Sequence, residues 1–270
     1  MSRQKVVLIT GASSGIGLAA AVELARAGHR VYGGARRTAE MTPLVEAGGQ
    51  ALALDVTDDA SMTRAVAAVH EAEGRIDVLV NNAGYGSYGA VEDVPMEEAR
   101  HQIEVNIFGL ARMNQLVLPH MRAQDGGTII NISSMGGTIW TPLGAWYHGT
   151  KWFVEGFTNA MRFEVAPFGI SMVLVAPGGI DTGFNGIIRE KMLRASGKGA
   201  YAPAAEKMAG LAGNAGGSDP KVIAELIRAA VEAKKPRPMY RGGQYGKLLP
   251  FLFRHLPYRM SDGIVRAMVK

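Results

Sequence analysis

A tyrosine and a lysine stand four residues apart in the stretch AWYHGTK, at Tyr147 and Lys151. In a helix, side chains at positions i and i+4 lie on the same face, so the phenol and the ammonium would be neighbours. A free phenol has a pKa of about 10, and a nearby positive charge favours its ionised form. The pair is therefore a candidate acid–base group, although an ordinary helical turn with a polar edge has the same residue types. His148 is predicted to face away and to have no part in the chemistry.

Two further polar residues are candidates for the same site. Ser134 ends the apolar run in NISS and lies 13 residues before Tyr147. Serines at strand ends usually only cap or turn the chain, but Ser134 and Tyr147 are both predicted at one edge of a β-sheet. Asn106, in IEVNIFG, lies in a helical stretch between Val105 and Ile107, so we do not expect it on the solvent-facing stripe.

Short β-branched runs alternate with longer Ala-rich stretches of helical period. Strands are predicted at 5–10, 29–36, 50–57, 76–84, 126–134, 170–179 and, at a sheet edge, 237–242. Helices are predicted at 17–28, 96–121, 147–166 and 219–233, with Asp58 or Asp59 capping another after the third strand. This alternation indicates right-handed crossovers and a parallel sheet covered on both faces. The sequence therefore predicts a single α/β domain with a Rossmann-type, doubly wound sheet of about seven strands, whose ligand lies beyond the carboxyl ends of the strands.

The turn after the first predicted strand is rich in glycine. TGASSGIG, residues 10–17, has the spacing G-x-x-x-G-x-G at Gly11, Gly15 and Gly17. The first glycine permits a tight turn, the second lets the backbone approach a pyrophosphate, and the third lets the helix pack closely on the strand. The helix N-terminus then offers free N–H groups and a positive dipole end to phosphates. Glycines at such a turn can be purely structural, but the strand–turn–helix context favours a dinucleotide site.

The end of the second predicted strand bears on which nicotinamide cofactor is bound. A ribose 2′-hydroxyl is usually held by an Asp or Glu about 20 residues past the Gly-rich turn, and this chain has Ala35, Arg36 and Arg37 there. A guanidinium pairs with a 2′-phosphate that a carboxylate would repel. The sequence therefore favours NADP(H). The alternative is that the two arginines are solvated charges of a loop and bind no cofactor. Asp55 and Val56 are placed to meet the adenine.

Two other strand ends complete the predicted cofactor site. NNAG, residues 81–84, would let the backbone pass beside the adenosine ribose while its asparagines tie adjacent strands together, or it is a plain turn. PGGIDT, residues 177–182, places Thr182 as a partner for the nicotinamide carboxamide.

The composition excludes several kinds of site. Of the 270 residues, 47% are hydrophobic and 20% are charged, as expected for one folded domain rather than a disordered chain. Because the chain has no cysteine, disulfides and thiolate metal sites are excluded, and the six histidines form no ligand-spaced pair, so no metal site is predicted. No secretory signal or membrane-spanning apolar run is visible, and a reducing, cytoplasmic location is expected.

The net charge of +5 is concentrated at the C-terminus. Residues 236–270 hold seven of the 29 Lys/Arg and one of the 24 Asp/Glu, which leaves 22 basic and 23 acidic residues in the rest of the chain. A basic body that binds nucleic acid is therefore not indicated. Residues 243–270 are apolar and basic together and are predicted as an extension to the domain 1–242. For this extension, a cap over the substrate pocket or a subunit contact is favoured over a membrane-surface foot.

These motifs together resemble those of the short-chain dehydrogenases/reductases in order and spacing. The resemblance covers about residues 5–185 and rests on TGASSGIG, NNAG, Asn106, Ser134, the YxxxK pattern and PGGIDT. It implies that Tyr147 is the catalytic acid/base and that Lys151 lowers the pKa of Tyr147 and holds the nicotinamide ribose. It also implies that Ser134 positions and polarises the substrate carbonyl, and that Asn106 anchors a water in a proton relay to Lys151.

The cofactor contacts that these motifs imply lie at the predicted carboxyl edge of the sheet. They are Gly11, Ser13, Ser14, Gly15, Ile16, Gly17, Arg36, Arg37, Asp55, Val56, Asn82, Ala83, Gly84, Tyr147, Lys151, Pro177, Gly178, Ile180 and Thr182. Two positions depart from the family pattern. Ser14 stands where many NADPH-dependent members have a basic residue, which leaves use of NAD(H) open. Gly149 weakens the local helix by about 1 kcal/mol relative to alanine.

The resemblance implies hydride transfer between NADP(H) and a carbonyl or secondary alcohol, in a homodimer or homotetramer. The rim of the candidate pocket is apolar, which favours a hydrophobic substrate; its residues are Met135, Trp140, Leu143, Trp146, Phe184, Ile187 and Ile188. Residues 183–218 interrupt the alternation and are a predicted mobile substrate lid. The alternative function is a nucleotide-binding redox sensor or regulator without turnover, against which the intact set of Ser134, Tyr147 and Lys151 argues.

Overall fold

A central sheet of seven parallel strands organises the computed structural model, in the order β3-β2-β1-β4-β5-β6-β7. The structure describes residues 3–214 and 216–269, so position 215 of the predicted lid and position 270 of the predicted extension lie outside it. The strands are β1 (Val6–Thr10), β2 (Arg30–Ala35), β3 (Gln50–Ala53), β4 (Val78–Asn81), β5 (Gly127–Ile132), β6 (Ile170–Pro177) and β7 (Met239–Gly242). Because the strand order reverses between β1 and β4, a crevice forms there beyond the carboxyl ends. The predicted single-domain, doubly wound α/β fold is confirmed.

Helices cover both faces of this sheet with apolar side chains. The helices are α1 (Gly15–Arg26), α2 (Thr42–Glu46), α3 (Asp59–Glu73), α4 (Met96–Ile103), α5 (Leu110–Ala123), α6 (Ala145–Val165), α7 (Phe184–Ser196), α8 (Ala202–Asn214), α9 (Lys221–Glu232), α10 (Leu248–His255) and α11 (Tyr258–Val269). On one face α1 and α9 bury residues such as Ala21 and Ile227, and on the other α3, α5 and α6 bury residues such as Val69, Val117 and Met161. These two buried layers fix the sheet that carries the candidate site.

The helix predicted at 96–121 is not continuous. A π-helical segment, Glu104–Gly109, separates α4 from α5, and Asn106 lies within it. A Cβ built on Gly109 would lie 2.9 Å from the Cβ of Val56, so only a glycine lets this segment pass the loop after β3. Single-turn π segments often occur at functional sites. Sequence periodicity did not predict this segment, because a single π-helical turn leaves the spacing of apolar residues almost the same as in a continuous α-helix.

Several predicted strands end earlier in the structure than in the sequence analysis. β3 ends at Ala53, so Asp55 and Val56 belong to the following loop, and Asp58 caps α3 by accepting a 2.9 Å hydrogen bond from the Ala60 N–H. β4 ends at Asn81, whose side-chain amide donates 2.9 Å to Oδ1 of Asn131 in β5. The predicted tie between adjacent strands is therefore present in the structure.

Where the structure describes them, the segments predicted as a lid and as a C-terminal extension are largely helical. α7 and α8 pack against each other, and α11 packs against α8. The mobility of the lid and the domain boundary at residue 242 stay predictions. No helix within residues 3–214 and 216–269 is both long and apolar enough to cross a bilayer.

Candidate active site

Tyr147 and Lys151 lie in the first two turns of α6, and both are buried. Lys151 Nζ donates a 2.9 Å hydrogen bond to the carbonyl oxygen of Ile132, at the end of β5. The same nitrogen lies 5.9 Å from the centre of the Tyr147 ring. The two side chains therefore share the carboxyl edge of the sheet, as their i,i+4 spacing predicts.

Burial sets the pKa values of this pair. Desolvation of the ammonium lowers the pKa of Lys151 to about 8. Burial raises the pKa of Tyr147 to about 12, and a hydrogen bond with Ser134 opposes that rise. Desolvation of the phenolate is the larger cause; the lowering of the Tyr147 pKa by Lys151 together with an oxidised nicotinamide stays a prediction. At neutral pH the phenol is protonated and the ammonium is largely charged.

Ser134 follows β5 and begins a turn of 3₁₀ helix at Met135–Gly137. Its Oγ accepts a 3.1 Å hydrogen bond from the Gly136 N–H, which leaves its own proton for another acceptor. The neighbouring Ser133 is turned inward, where its hydroxyl donates 3.1 Å to a carboxylate oxygen of Glu155. Of the two serines, Ser134 is therefore the one placed beside Tyr147.

Asn106 joins the loop after β4 to α6. Its Nδ2 donates to the Tyr85 carbonyl oxygen at 2.9 Å and to Thr150 Oγ1 at 3.1 Å, and its Oδ1 accepts from the Tyr85 N–H at 3.1 Å. A Cβ built on Gly84 would lie 3.2 Å from Asn106 Oδ1 and 3.7 Å from Lys151 Nζ. Asn106 and Lys151 therefore both lie beside the same glycine, and the side-chain amide of Asn106 holds the backbone around it.

The Gly-rich turn is locked to the NNAG loop. Asn82 Nδ2 donates to the carbonyl oxygens of Thr10 and Gly11 at 3.1 and 3.0 Å, and the Thr10 hydroxyl accepts the N–H groups of Asn82 and Ala83. Gly11 has φ +67°, and a Cβ there would lie 2.8 Å from the Ala83 Cα; a Cβ on Gly17 would collide with the Asn82 side chain. The two loops thus form one rigid surface.

This surface fits a dinucleotide. The helix N-cap residue, Ser14, makes no side-chain capping hydrogen bond, so no side chain covers the first N–H groups of α1. A helix N-terminus in this state binds phosphate oxygens through its N–H groups and its dipole. Gly15 has φ +55° and keeps the turn free of a side chain where a pyrophosphate would approach.

The two arginines after β2 lie at different places. Arg37 Nη2 donates a 3.4 Å hydrogen bond to Ser13 Oγ in the Gly-rich turn, and its Nη1 lies 3.1 Å from a carboxylate oxygen of Glu40. Arg36 lies near enough to Asp55 to affect its ionisation: burial tends to raise the pKa of Asp55, but hydrogen bonds from Thr57 and the charge of Arg36 lower it. Arg37 therefore faces the turn, and Arg36 faces the loop after β3.

Residues 177–182 close the candidate cofactor site from the β6 side. Thr182 faces the Gly-rich turn, since a Cβ on Gly15 would lie 3.4 Å from its methyl group. Its Oγ1 accepts a 3.3 Å hydrogen bond from the Phe184 N–H at the start of α7. Ile180 is buried against the sheet, and the backbone of Gly178 and Gly179 bonds to residues 242–244. Residues 177–182 thus lie on the β6 side of the Gly-rich turn.

His148 was expected to face away, and that expectation is wrong. Its ring is buried beside Tyr147, with Nδ1 3.0 Å from the Gly136 carbonyl oxygen and Nε2 3.1 Å from the Thr141 N and 2.9 Å from Thr141 Oγ1. Nδ1 must donate to the carbonyl, so Nε2 accepts from Thr141. The neutral ring therefore holds the loop of residues 135–144, which directly follows Ser134, against α6.

Apolar side chains surround the Tyr147 ring. Tyr88 and Phe184 each lie with ring centres 5.6 Å from it, and they belong to a buried cluster with Ile188 and Met192 of α7. Of the predicted rim, Ile188 is buried in this cluster while Ile187 is exposed, as expected for neighbours on a helix. Lys191 of α7 fastens this helix to α4 through a 2.6 Å ion pair with Glu98. The predicted lid therefore lies over the tyrosine.

Residues 5–193 match the family model described as short chain dehydrogenase. The chain belongs to the short-chain dehydrogenase family. Among solved structures similar to this chain, one is complexed with NADH and another with NADP+. The NADP(H) preference of this short-chain dehydrogenase stays a prediction.

One curated relative and two solved structures show the extent of the similarity. The chain is 44% identical to the 3-ketodihydrosphingosine reductase of Bacteroides thetaiotaomicron over 67% of its own length and 65%, less than two thirds, of that relative's length. A short-chain dehydrogenase from Streptomyces avermitilis superposes with a TM-score of 0.82 at 35% identity, over 99% of both chains. The 3-ketoacyl-(acyl-carrier-protein) reductase of Brucella melitensis, complexed with NADH, gives a TM-score of 0.71 at 29% identity, over 85% of this chain and 91% of its own.

Three residues at the site of this short-chain dehydrogenase were missed by the sequence analysis. Tyr85 and Tyr88, in the YGSYG stretch directly after NNAG, contact Asn106 and Tyr147, and their position after a strand end was the signal that could have revealed them. Met192 was missed because nothing in the sequence shows which face of α7 turns inward.

We expect the buried His148 ring to make stability depend on pH. Burial lowers its pKa below the ordinary value of 6.5, although the hydrogen bond to Gly136 opposes the shift. The unfolded chain therefore binds a proton at a higher pH than the folded chain, and stability present above about pH 6.5 is lost as the pH falls. The melting temperature should drop by a few degrees between about pH 7.5 and 5.5, and by less in His148→Gln, whose amide does not titrate.

Thermal unfolding followed by circular dichroism across this range measures the effect. His255→Gln is the matched control, because His255 is exposed, and it should follow the wild-type profile. Wild-type and His148→Gln profiles that fall in parallel would show that His148 is not the group responsible.

Proposed function

We propose that this short-chain dehydrogenase is an NADP(H)-dependent carbonyl reductase or alcohol dehydrogenase for a hydrophobic substrate, with Tyr147 as its acid/base. The observation that carries the proposal is the convergence of Tyr147, Ser134 and Lys151 at the carboxyl edge of the sheet, beside the Gly11–Gly17 turn. Bound NADP(H) would supply the hydride and, when oxidised, a positive charge that favours the phenolate. The protein positions the substrate and the cofactor and supplies the proton.

Each polar side chain has one role in this proposal. Tyr147 gives its proton to the carbonyl oxygen during reduction, and the charge of Lys151 stabilises the phenolate left behind. Ser134 donates a hydrogen bond to the same carbonyl oxygen, since that oxygen can only accept and the Ser134 proton is not used in its hydrogen bond with the Gly136 N–H. Asn106 anchors a water that relays protons to Lys151, and its hydrogen bonds to Tyr85 and Thr150 support this role by fixing the backbone beside the ammonium.

Apolar surroundings support a hydrophobic carbonyl or secondary alcohol. Tyr88, Phe184 and Ile188 line the space next to the Tyr147 ring, and a polar substrate such as a sugar would leave its hydroxyl groups there without hydrogen-bond partners. Two of the similar proteins, from Bacteroides thetaiotaomicron and Brucella melitensis, are named as reductases of 3-keto compounds. A keto group on an apolar chain or ring is therefore the substrate class that we propose.

We expect the purified protein to oxidise NADPH faster with aryl or long-chain ketones than with small polar ketones. Tyr147→Phe should lower kcat about 10²- to 10⁴-fold, because it removes a general acid. It should leave NADPH binding nearly unchanged, because the phenyl ring keeps the apolar packing. Steady-state rates followed by NADPH absorbance measure the first effect, and a binding titration measures the second.

Two results would contradict this proposal in different ways. Full activity in Tyr147→Phe would remove Tyr147 from the mechanism, and faster turnover of small polar ketones would overturn the substrate class. Tight nucleotide binding with no turnover of any carbonyl or alcohol would instead favour the redox-sensor alternative.

The position of Arg37 supports NADP(H) over NAD(H). Its guanidinium lies beside Ser13 of the Gly-rich turn, where a ribose 2′-phosphate would be close to it. A charge-assisted hydrogen bond contributes about 1.5–3 kcal/mol. We therefore expect Arg37→Ser to weaken NADPH binding about 10- to 100-fold, at 1.4 kcal/mol for each tenfold change, and to leave NADH binding almost unaltered. Calorimetric titration with each nucleotide measures both.

Arg64→Ser, at an exposed arginine on α3, is the matched control and should bind both nucleotides like the wild type. An equal loss of NADPH and NADH affinity in Arg37→Ser would show that Arg37 stabilises the Gly-rich turn and does not bind the 2′-phosphate. Weaker NADPH than NADH binding in the wild type would overturn the NADP(H) preference.

We infer also that the chain forms a homodimer or homotetramer through α6. Trp152 and Phe163, eleven residues apart and hence on one side of this helix, are both exposed, as is Phe153 between those positions. Contiguous exposed aromatic surface of this kind usually marks an interface. Light scattering should give the mass of two or four chains, and the mass of a single chain would contradict the inference.

A further inference from the structure

The C-terminal helices α10 and α11 have an outward surface that is both apolar and basic. We call it the tail face; it consists of Tyr245, Lys247, Leu248, Phe251, Arg254, Tyr258, Arg259 and Met260. Leu248, Phe251, Tyr258 and Met260 are exposed at 55%, 60%, 73% and 56%. Large apolar side chains rarely cluster at such exposure on a surface that faces only water.

The inward side of the same helices already has a partner. Phe253 is buried and meets the Trp140 ring edge-on, with ring centres 4.9 Å apart. Tyr258 stacks on the same Trp140 ring, with ring centres 5.5 Å apart. α11 also packs against α8 of the lid. The contact with Trp140 thus uses Phe253 and Tyr258, while Leu248, Phe251 and Met260 of the tail face stay exposed.

Charge indicates what could cover the tail face. Residues 236–270 hold seven Lys/Arg and one acidic residue, Asp262, while the rest of the chain holds 22 basic and 23 acidic residues. A second copy placed tail face to tail face would bring Lys247, Arg254 and Arg259 of both copies together. Aromatic and aliphatic side chains flanked by Lys and Arg on a short amphipathic helix are instead the pattern that lies in the interface of an anionic bilayer.

We propose that the tail face docks this protein on an anionic lipid surface. Phe251 and Leu248 enter the boundary between headgroups and acyl chains, and Lys247, Arg254 and Arg259 pair with the lipid phosphates and carboxylates. Because Trp140 touches the inner side of the tail, the docked protein presents the loop of residues 135–144 close to the bilayer. Supply of an apolar ketone from the membrane then follows; this consequence rests on the proposed function, whereas the docking does not.

The test is sedimentation of the full-length protein with phosphatidylcholine vesicles, with and without phosphatidylserine. We expect binding to the phosphatidylserine vesicles at low salt, weaker binding at high salt, and little binding to phosphatidylcholine alone. Lys247→Gln with Arg254→Gln should weaken binding about 20- to 30-fold, since each basic residue near the surface contributes about 1 kcal/mol. Leu248→Ser with Phe251→Ser should weaken it at least about tenfold.

Matched controls separate this surface from nonspecific effects. Val45→Ser removes an exposed apolar side chain from α2, and Lys234→Gln with Lys235→Gln removes two exposed charges outside the tail; both variants should sediment like the wild type. All the exposed side chains changed here should leave the melting temperature close to that of the wild type. Reduction of a water-soluble ketone should be unchanged in the tail-face variants, so that lost docking and lost catalysis are distinguishable.

Three outcomes would overturn the proposal. The first is no sedimentation of the wild type with phosphatidylserine vesicles at low salt. The second is an equal loss of binding in the control variants. The third combines two measurements: the wild type binds no lipid, and the double variant Leu248→Ser with Phe251→Ser has a smaller mass by light scattering than the wild type. That result would assign the tail face to a second copy of this chain.

Discussion

The ammonium of Lys151 is buried at the carboxyl edge of the sheet, with the main-chain carbonyl of Ile132 as its hydrogen-bond acceptor. A buried charge is costly unless polar groups surround it, and burial accordingly lowers the pKa of this lysine to about 8. Its position requires β5 to end at Ile132, α6 to begin two residues before Tyr147, and Gly84 to have no side chain. The placement of the phenol, of Asn106 and of the loop after β4 all follow from this one buried group.

A second constraint joins the catalytic edge to the nucleotide surface. The Thr10 hydroxyl and the Asn82 amide bind the Gly-rich turn to the NNAG loop, and the next residues of that loop reach Asn106 and Lys151. The Gly-rich turn and the residues around Lys151 therefore belong to one hydrogen-bonded unit. Enzymes that transfer hydride need such rigidity, because small errors in the placement of the reacting atoms cost large factors in rate.

The loop of residues 135–144 links this unit to the C-terminal tail. On its inner side the loop is hydrogen-bonded to the His148 ring through Gly136 and Thr141. On its outer side the Trp140 ring packs against Phe253 and Tyr258. Ser134 precedes the loop, so this one short segment separates the proposed substrate-polarising hydroxyl from the C-terminal helices.

The sequence by itself determined the doubly wound sheet, the Gly-rich turn and the shared helical face of Tyr147 and Lys151, because these depend on apolar alternation and on spacing within one or two turns. Tertiary structure alone decided the π segment around Asn106, the inward turn of His148, the upward shift of the Tyr147 pKa and the division of the tail into an inner and an outer face. Each of these depends on which groups are buried against distant parts of the chain. Desolvation and long-range packing have no local pattern in a sequence, so the motifs revealed where the site lies and the fold decided how its groups behave.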